Sequence, residues 1–416
     1  MFRIFLLIVF LFLIDIYAYQ AVKHVFKSGN WISLKQATIT FWLVASICYL
    51  ILFASQIYEV QHWSKFVRTY AFAFVFICYL SKIFIVLFLV IDDLWRVAQW
   101  AYTYIAGKGA TNTAGNNEIH ISRSDFLNKA ALFAAAIPFV SLIYGMIKGA
   151  YNFTIHNVKI PVKNLPEAFN GYKIVQISDI HAGSFTVTHP INQAVDLIQK
   201  QGADVIFFTG DLVNNLAEEV EPFLNVFSKL QARHGVFSIL GNHDYGDYIA
   251  WESATEKNEN LNRIKSYHQQ MGWQLLLDDY TYIENDGHQI GLIGVQNWST
   301  HLRFPKYGNL QKATANYKPT AFNILLSHDP SHWQGEVLSK YPFIDLTLSG
   351  HTHGFQFGIE VPGIKWSPVQ YVYKQWAGLY NKGHQYLYVN RGFGFLGYPG
   401  RVGISPEITV IELQKA

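Results

Sequence analysis

The sequence predicts a layered α/β domain that follows an all-α region of four transmembrane helices. Two observations lead to this fold class: the first 150 of the 416 residues contain four long apolar runs, and from about Tyr151 onward short β-rich runs alternate with helical stretches. A third observation concerns chemistry, because five of the predicted strands run into Gly, Ser, Asp or His, where α/β sheets gather ligands. We therefore predict a membrane region at 1–150 and a soluble domain at 151–416.

The composition excludes several classes of protein. Half of the residues are hydrophobic and only 15% are charged, which is apolar for a purely soluble chain. The net charge of +3 is small, so we expect no nucleic-acid partner. Cys48 and Cys78, the only cysteines, lie inside apolar runs. The sequence therefore offers neither a disulfide framework nor a zinc–thiolate site.

The apolar runs at 4–19, 38–58, 70–91 and 130–147 are each close to the roughly 20 residues that a helix needs to cross a bilayer. A signal peptide is the alternative for the first run, but no A-x-A-like cleavage site follows it. Buried core helices are the alternative for all four, and the scarcity of charges disfavours it. Asp15 and Lys82 are charges inside these runs. Lys82 is either a functional intramembrane charge or a side chain that faces the interior or snorkels.

Four spans place both ends of the chain on one side of the membrane. The first and third loops carry slightly more Lys and Arg residues than the opposite side. By the positive-inside rule these loops face the cytoplasm, which favours a C-terminal domain outside the cytoplasm. The stretch 122–127, Ser-Arg-Ser-Asp-Phe-Leu, is similar to a twin-arginine export signal, with Ser124 in place of the second arginine. The alternative is a Ser/Asp cap ahead of an apolar helix. Composition predicts a flexible loop at 107–117.

In the C-terminal part, buried strands are predicted at 172–178, 204–209, 235–240, 323–327 and 343–348, from their Val, Ile, Phe and Leu content. Helices are predicted near 189–201, 217–231, 251–271 and 331–340. A small meander is predicted from 273–277, 280–284 and 288–295, closed by an Asn-Asp-Gly turn. Strands that alternate with helices, together with hairpins, predict the layered α/β arrangement.

Potential metal ligands stand at the ends of five of these strands: Asp179 and His181, then Asp211, then Asn242 with His243 and Asp244, then His328, then His351 and His353. Singly, each has a structural explanation, such as a loop cap, a turn residue or a core histidine. Their recurrence at strand ends favours a single site. Carboxylate and amide oxygens combined with imidazole nitrogens suit Mn, Fe or Zn.

This ligand set suits a pair of metals. Two ions about 4 Å apart need a bridging ligand and clamp a phosphoryl group between them. Asp211 is the natural bridging candidate. Gly210 and Gly241 flank the second and third strand ends and let the backbone turn tightly there.

The order Asp-x-His, Gly-Asp, Gly-Asn-His-Asp, His and Gly-His-x-His over about 173–354 resembles the calcineurin-like metallophosphoesterases. The stretches 390–394 and 406–408 are similar to the tail of a bacterial branch of membrane-anchored or exported phosphodiesterases, which includes hydrolases of UDP-2,3-diacylglucosamine. The resemblance implies an α/β/β/α sandwich, a metal-dependent phosphoric ester hydrolase and a multi-pass protein of the bacterial inner membrane.

The resemblance also assigns roles to residues. It implies one metal held by Asp179, His181, Asp211 and His353, and a second held by Asp211, Asn242, His328 and His351. His243 would protonate the leaving oxygen or stabilise charge on the phosphoryl group, oriented by Asp244. This fits an imidazole, which titrates near neutral pH. A structural His–Asp salt bridge is the alternative.

Departures from the family pattern bear on the substrate. Asn214, Asn215 and Asp244 stand where protein Ser/Thr phosphatases carry arginine and glutamate, which disfavours that class. Phe355 replaces a glycine of the branch and either contacts a lipid or a nucleobase or packs in the core. Arg303 either binds an extra phosphate or is a solvated loop charge.

The predicted function is that of a membrane-tethered, dinuclear-metal phosphoesterase. Its expected substrate carries a phosphodiester or pyrophosphate bond, in a lipid-linked nucleotide such as UDP-2,3-diacylglucosamine, and its expected partner is the lipid bilayer. A phosphomonoesterase or nucleotide hydrolase for which the membrane is only an address is one alternative. A non-catalytic membrane scaffold is the other.

Overall fold

The computed structural model describes residues 2–27, 32–58, 60–105 and 123–416. The predicted flexible loop at 107–117 lies outside the described residues, as does the first residue of the predicted export signal at 122–127. The chain forms two compact units, Met1–Tyr144 and Gly145–Ala416. The first unit is formed by apolar helices, and the second is formed by sheets with a buried core.

Four long helices account for the N-terminal region: α1 (Phe2–Lys27), α2 (Leu34–Ile57), α3 (Lys65–Ile105) and α4 (Arg123–Ile147). Each is long and apolar enough to cross a membrane, and this confirms the four predicted helices. Ser33 begins α2 with a capping box in which its side chain and that of Gln36 each accept a backbone N–H. Large apolar side chains on the outside of these helices are exposed, as a lipid-facing surface requires.

The charges inside the apolar runs are paired. Asp15 is fully buried, and its carboxylate accepts hydrogen bonds from Lys82 Nζ at 2.5 Å, from the Tyr79 hydroxyl at 2.9 Å and from the Tyr49 hydroxyl. These residues belong to α1, α2 and α3. Lys82 therefore faces the interior of the helix group and does not snorkel, and the pair links three helices through one carboxylate.

The C-terminal unit contains two six-stranded sheets. The first follows the order β1 (Thr154–Val162), β14 (Glu407–Lys415), β2 (Lys173–Ile177), β3 (Val205–Phe208), β4 (Val236–Ser238), β5 (Trp273–Leu275). The second follows the order β12 (Gly378–Lys382), β13 (Gln385–Val389), β9 (Leu346–Ser349), β8 (Asn323–Leu326), β7 (His288–Gly294), β6 (Asp279–Asn285). A separate hairpin joins β10 (Ile359–Val361) to β11 (Ile364–Trp366).

The helices of this unit are α5 (His189–Gln199), α6 (Leu224–Phe227), α7 (Ala254–Gln270), α8 (Leu310–Ala313) and α9 (Leu338–Lys340), the last preceded by a π-helical turn at Trp333–Val337. Side chains alternate across β3. Val205 and Phe207 pack in the cluster that includes Leu346 and Leu348 of the second sheet, whereas Ile206 and Phe208 pack in the cluster that contains α5 and α7. The two sheets thus face each other with helices outside, which confirms the expected α/β/β/α sandwich.

Two local predictions are wrong. Residues 217–231 do not form one helix but two 3₁₀ turns, Ala217–Glu219 and Glu221–Phe223, followed by the single turn α6, because Pro222 lacks the N–H that a continuous helix needs. The predicted meander also divides between the sheets. The hairpin of β6 and β7 forms as predicted, but β5 pairs in parallel with β4 in the first sheet.

Candidate metal centre

The parallel strands bring the predicted ligands to one edge. β2, β3 and β4 are parallel to one another, and so are β8 and β9. Their carboxyl ends therefore lie at the same edge of each sheet. Asp179, Asp211 and Asn242 follow the strands of the first sheet, and His328 and His351 follow those of the second. The contacts described below bring all seven predicted metal ligands together at this edge.

A first cluster consists of Asp179, His181 and His353, whose potential ligand atoms lie within 4.8 Å of one another. The Nε2 atoms of His181 and His353 are 3.0 Å apart. His353 Nε2 is also 3.3 Å from Asp179 Oδ1. All three side chains are buried, so an ion held between them would be shielded from bulk water.

A second cluster consists of Asp211, His328 and His351, again with ligand atoms within 4.8 Å of one another. Asn242 joins it, because its Oδ1 lies 2.8 Å from His351 Nδ1. Asp211 Oδ2 is 3.1 Å from His328 Nε2 in this cluster and 3.5 Å from His181 Nε2 in the first. Asp211 therefore lies between the two clusters, where a bridging ligand would stand.

The residues present fit divalent metal ions. His328 Nε2 is fully buried and makes no hydrogen bond, although it lies 3.1 Å from a carboxylate oxygen. Buried polar atoms are almost always satisfied, and a cation coordinated by both this nitrogen and the carboxylate oxygen would satisfy it. The donor set of carboxylate, amide oxygen and imidazole matches Mn, Fe or Zn.

The electrostatics of the site point the same way. Burial by itself would raise the pKa of the Asp179 carboxyl, but the His353 and His328 imidazoles hold that pKa below its usual range. Burial would lower the pKa of His328, yet the Asp211 carboxylate raises it to about 10. Burial lowers the pKa of His181, so this imidazole stays neutral. The two buried carboxylates thus require positive charge nearby. Protonated His328 provides it in this structure, and a bound metal ion would provide it in place of that proton.

The backbone is strained where it presents the ligands. Left-handed φ values occur at five of the seven: 53° at Asp179, 48° at His181, 62° at Asp211, 72° at His351 and 52° at His353. Such non-glycine conformations cost about 1–3 kcal/mol each and persist where surrounding contacts hold them. The His351 N–H, for example, donates to the Asp179 carboxylate at 3.0 Å.

Gly210 and Gly241 have the predicted role in this close packing. Gly210 has a φ of +97°, and a Cβ there would lie 2.5 Å from the Gly241 nitrogen. A Cβ on Gly241 would lie 2.2 Å from Asp211 Oδ1. Neither position has room for a side chain, and the absence of a side chain lets Asp211 reach the site.

His243 presents one ring nitrogen to the site. Its Nδ1 lies 2.8 Å from the Asn214 carbonyl oxygen, and because a carbonyl only accepts, Nδ1 carries the hydrogen and donates it. Its backbone N–H donates to Asp211 Oδ1 at 2.8 Å. The ring is thus fixed with Nε2 as the nitrogen that can exchange a proton.

Asp244 does not contact the His243 ring. Its two carboxylate oxygens accept four backbone N–H groups instead, at 2.8–3.2 Å, from Asp211, Leu212, Val213 and Gly241. Among the described contacts no hydrogen bond or ion pair joins Asp244 to the His243 ring, so the orienting role of Asp244 stays a prediction. Burial and the Asp211 charge raise the pKa of Asp244 to about 7. Asp244 holds the loop that carries Asp211.

Sequence reasoning missed three residues beside the ligands. The Tyr373 hydroxyl lies 2.9 Å from His351 Nε2 and donates to Asp329 Oδ2 at 3.1 Å. Buried Arg401 places Nη2 3.3 Å from His353 Nδ1. Asp329 had a usable signal, since it directly follows His328. Tyr373 and Arg401 had none, because they lie in loops far from the ligand motifs.

The two predicted substrate residues are both exposed. Phe355 is 62% exposed, so the core-packing alternative is wrong. Arg303 is exposed and directly precedes Phe304, whose ring lies 4.6 Å from the His351 ring. Both therefore lie within a few residues of groups that contact the centre.

The fold and the site define a class: an α/β sandwich with a buried Asp, Asn and His centre at the carboxyl edge of its sheets, preceded by four apolar helices. Comparison with known families agrees. Residues 2–150 match the family described as "Probable Calcineurin-like phosphoesterase, transmembrane domain". Residues 172–355 match "Calcineurin-like phosphoesterase".

Curated relatives carry related names. "Uncharacterized metallophosphoesterase YkuE" of Bacillus subtilis is 31% identical over 63% of this chain and 85% of its own length. "Phosphodiesterase YaeI" of Escherichia coli is 29% identical over 70% of this chain and 99% of its own. "Transmembrane protein with metallophosphoesterase domain" of Danio rerio is 29% identical over 69% of this chain, and the match spans 63% of that longer protein. The chain belongs to the calcineurin-like metallophosphoesterase family, which confirms the resemblance seen in its motifs.

Proposed function

We propose that this protein is a membrane-anchored, metal-dependent phosphoesterase, with a membrane region at 1–150 and a catalytic domain at 151–416. The observation that carries the proposal is the position of Asp211, whose Oδ2 lies 3.5 Å from His181 Nε2 of one ligand cluster and 3.1 Å from His328 Nε2 of the other. A carboxylate between two clusters is the arrangement that a dinuclear centre needs. The family match supports the same chemistry.

The ligand assignment follows the two clusters. Asp179, His181, Asp211 and His353 would hold one ion, and Asp211, Asn242, His328 and His351 would hold the other. When bound, a pair of Mn, Fe or Zn ions supplies Lewis acidity to a phosphoryl oxygen and lowers the pKa of an attacking water. Because these side chains already face one another, loading requires little rearrangement of the chain.

His243 is the proposed general acid. Its Nδ1–H is committed to the Asn214 carbonyl at 2.8 Å, which leaves Nε2 to hold a proton and deliver it to the leaving oxygen. The Tyr248 ring, 4.5 Å from the His243 ring, packs beside it and limits its rotation. Asp244 acts indirectly, by fixing the backbone on both sides of Asp211.

The proposed substrate is a phosphodiester or pyrophosphate in a lipid-linked nucleotide, such as UDP-2,3-diacylglucosamine. Two features support it. The chain carries four helices able to span a membrane, and Phe355, two residues after His353, is 62% exposed. Arg303, which is also exposed, is the proposed contact for an additional phosphate. We further propose a bacterial inner membrane with the domain outside the cytoplasm, which a topology reporter fused after Ala416 tests.

Hydrolysis of bis-p-nitrophenyl phosphate by the full-length protein in detergent, loaded with Mn, tests the activity. Asp211→Ala should abolish turnover and lower the bound metal. Asp196→Ala is the matched control, because Asp196 is an exposed aspartate on α5 and its loss should change neither. Unchanged turnover in Asp211→Ala would contradict the bridging role.

A substrate panel separates the alternatives. A diester and a UDP-linked lipid should be hydrolysed faster than a phosphomonoester. Preference for monoesters or free nucleotides would instead indicate that the membrane is only an address. Metal content well below one ion per chain, without turnover, would indicate a non-catalytic scaffold.

A further inference from the structure

The hairpin that follows the last metal ligands has two unlike faces. Its strands pair Ile359 with Trp366, Glu360 with Lys365, and Val361 with Ile364, around a Pro362-Gly363 turn in which Gly363 has a φ of +84°. Because neighbours on a strand point to opposite faces and cross-strand partners share a face, the charged pair occupies one face. The three apolar residues and Trp366 occupy the other.

The charged face is turned toward the protein. Glu360 Oε2 accepts a hydrogen bond at 2.9 Å from Nε of Arg391, and Arg391 is buried and also donates to Glu407 at 2.6 Å. Lys365 Nζ donates to the Ala377 carbonyl at 2.5 Å. The charged side chains thus anchor the hairpin to the domain.

The apolar face is turned outward. Ile359, Val361 and Ile364 are 50%, 52% and 57% exposed. Three further large apolar residues close to the hairpin in the chain are also exposed: Phe355, Tyr371 and Val372. A solvated sheet normally turns its apolar face inward and its charged face to water, and this hairpin does the reverse. Exposed apolar side chains gathered in one part of a surface point to a binding surface.

Backbone contacts link the hairpin to the start of the C-terminal unit. Phe357 forms a β-bridge with Val402, and the Gly358 N–H donates to the Val402 carbonyl at 2.9 Å. The next residue back, Arg401, donates its N–H to the Gly145 carbonyl at 3.2 Å. Gly145 lies in the last turn of α4, a helix long and apolar enough to cross the membrane. The apolar face therefore belongs to the same compact unit as Gly145, the residue at which the chain passes from α4 into the C-terminal domain.

We propose that the six residues Ile359, Val361, Ile364, Phe355, Tyr371 and Val372, here called the apolar patch, dock into the interfacial layer of the bilayer that α4 crosses. Aromatic residues favour that layer, where an apolar ring meets a polar tip. Trp366, the last residue of the hairpin, donates its Nε1–H to the hydroxyl of Tyr371 in the following turn at 3.4 Å. Since Phe355 follows His353 by two residues, docking holds the edge that carries the metal ligands at the membrane surface.

Site-directed spin labelling of the full-length protein in phospholipid nanodiscs tests the docking without reference to catalysis. Cys48 and Cys78 are buried and would be replaced by alanine. Single nitroxide labels would then be attached to Val361→Cys and Ile364→Cys. The matched control is Gln289→Cys, an exposed residue of the β6–β7 hairpin. This control lies at the start of β7 and so at the opposite edge of the second sheet from His328 and His351. Retained metal content shows that each variant is folded.

Docking predicts that labels at 361 and 364 relax faster with oxygen, which concentrates in lipid, than with a water-soluble nickel chelate. The label at 289 should show the opposite ratio. Free access of the nickel chelate to 361 and 364 would mean that the patch faces water and would overturn the proposal. Exclusion of both reagents, with dipolar broadening between labels, would mean that a second copy of the chain covers the patch, and this too would overturn it.

Discussion

The Nε2 atoms of His181 and His353 lie 3.0 Å apart although 172 residues separate them in the chain. A hydrogen bond between these two nitrogens uses the N–H of one ring and the lone pair of the other, so only one of the two Nε2 atoms can be the acceptor. A cation between them and Asp179 satisfies both nitrogens at once. The contact also joins the two sheets, because His181 follows β2 and His353 follows β9.

Metal stoichiometry should respond separately to the two clusters. His353→Ala removes a ligand from the first cluster, and His328→Ala removes one from the second. Each should lower the bound metal from about two ions per chain toward about one, measured by elemental analysis after dialysis. His189→Ala, at the exposed start of α5, is the control and should keep the full complement. An unchanged complement in both ligand variants would contradict the dinuclear assignment.

Replacement of His243 should slow catalysis without loss of metal. Loss of a positioned general acid costs about 10²–10⁴-fold in rate, so His243→Ala should retain metal and lose turnover within that range. The loss should be larger for a substrate with an alkyl alcohol leaving group than for a p-nitrophenyl ester, because nitrophenolate leaves without protonation. Equal losses on both substrates would argue against proton donation.

Asp244→Ala should act mainly on stability. The substitution leaves four buried backbone N–H groups without their acceptor. Because hydrogen bonds to a charged group are worth about 1.5–3 kcal/mol each, we expect the free energy of unfolding to fall by more than about 3 kcal/mol. A lower midpoint of thermal unfolding in detergent measures this. Asp196→Ala serves as the exposed control, and an unchanged midpoint in Asp244→Ala would show that water replaces the carboxylate.

Stability should depend on pH through His268. Burial lowers the pKa of this imidazole to about 3, and its Nδ1 lies 2.9 Å from the Ser238 hydroxyl. Below the unfolded pKa of about 6.5 the unfolded chain binds a proton that the native state does not. The free energy of unfolding should therefore fall as the pH drops, by up to about 1.4 kcal/mol per pH unit from this group.

Thermal unfolding between about pH 5 and 8 checks this dependence. His268→Gln should show a shallower loss of stability toward low pH than the unmodified protein. Metal loss on acidification affects both proteins alike, so the difference between their slopes reports His268. Parallel pH profiles would show that His268 does not make this contribution.

The intramembrane pair should show strong coupling. Asp15→Leu alone leaves Lys82 buried without its partner, and a broken buried ion pair costs about 3–5 kcal/mol. The double variant Asp15→Leu/Lys82→Met removes both charges and should be destabilised much less. Thermal unfolding in detergent of the single and double variants gives the coupling energy. Additive effects would mean that the two side chains contribute independently.

Local patterns predicted much of this structure. The four apolar helices could be predicted from the sequence because a long apolar run is sufficient for a membrane helix. The candidate metal ligands could be predicted because each stands within a few residues of its own strand, as Asp211 does after β3. The pairing of β1 with β14, in which Thr154 lies opposite Glu407, could not be predicted, since strand partners distant in sequence leave no local signal.

The hydrogen-bond partners of the site residues could not be predicted from the sequence either. Asp244 was expected to orient His243, and the neighbouring positions in the chain made that plausible. In the fold the Asn214 carbonyl takes that place, while Asp244 turns to the loop of Asp211. Side-chain direction after a tight turn depends on φ values such as the 62° of Asp211, which surrounding contacts impose.

The sequence by itself predicted the four apolar helices, the α/β class and the seven residues that the fold gathers as candidate metal ligands, because hydrophobic run length and residues at strand ends are local properties. Only the tertiary structure decided that Asp211 lies between two clusters, that Arg401 and Tyr373 stand beside the ligand histidines, and that the β10–β11 hairpin turns its charges inward. The physical reason is that packing between distant segments decides which face of a strand is buried and which atoms of a side chain meet.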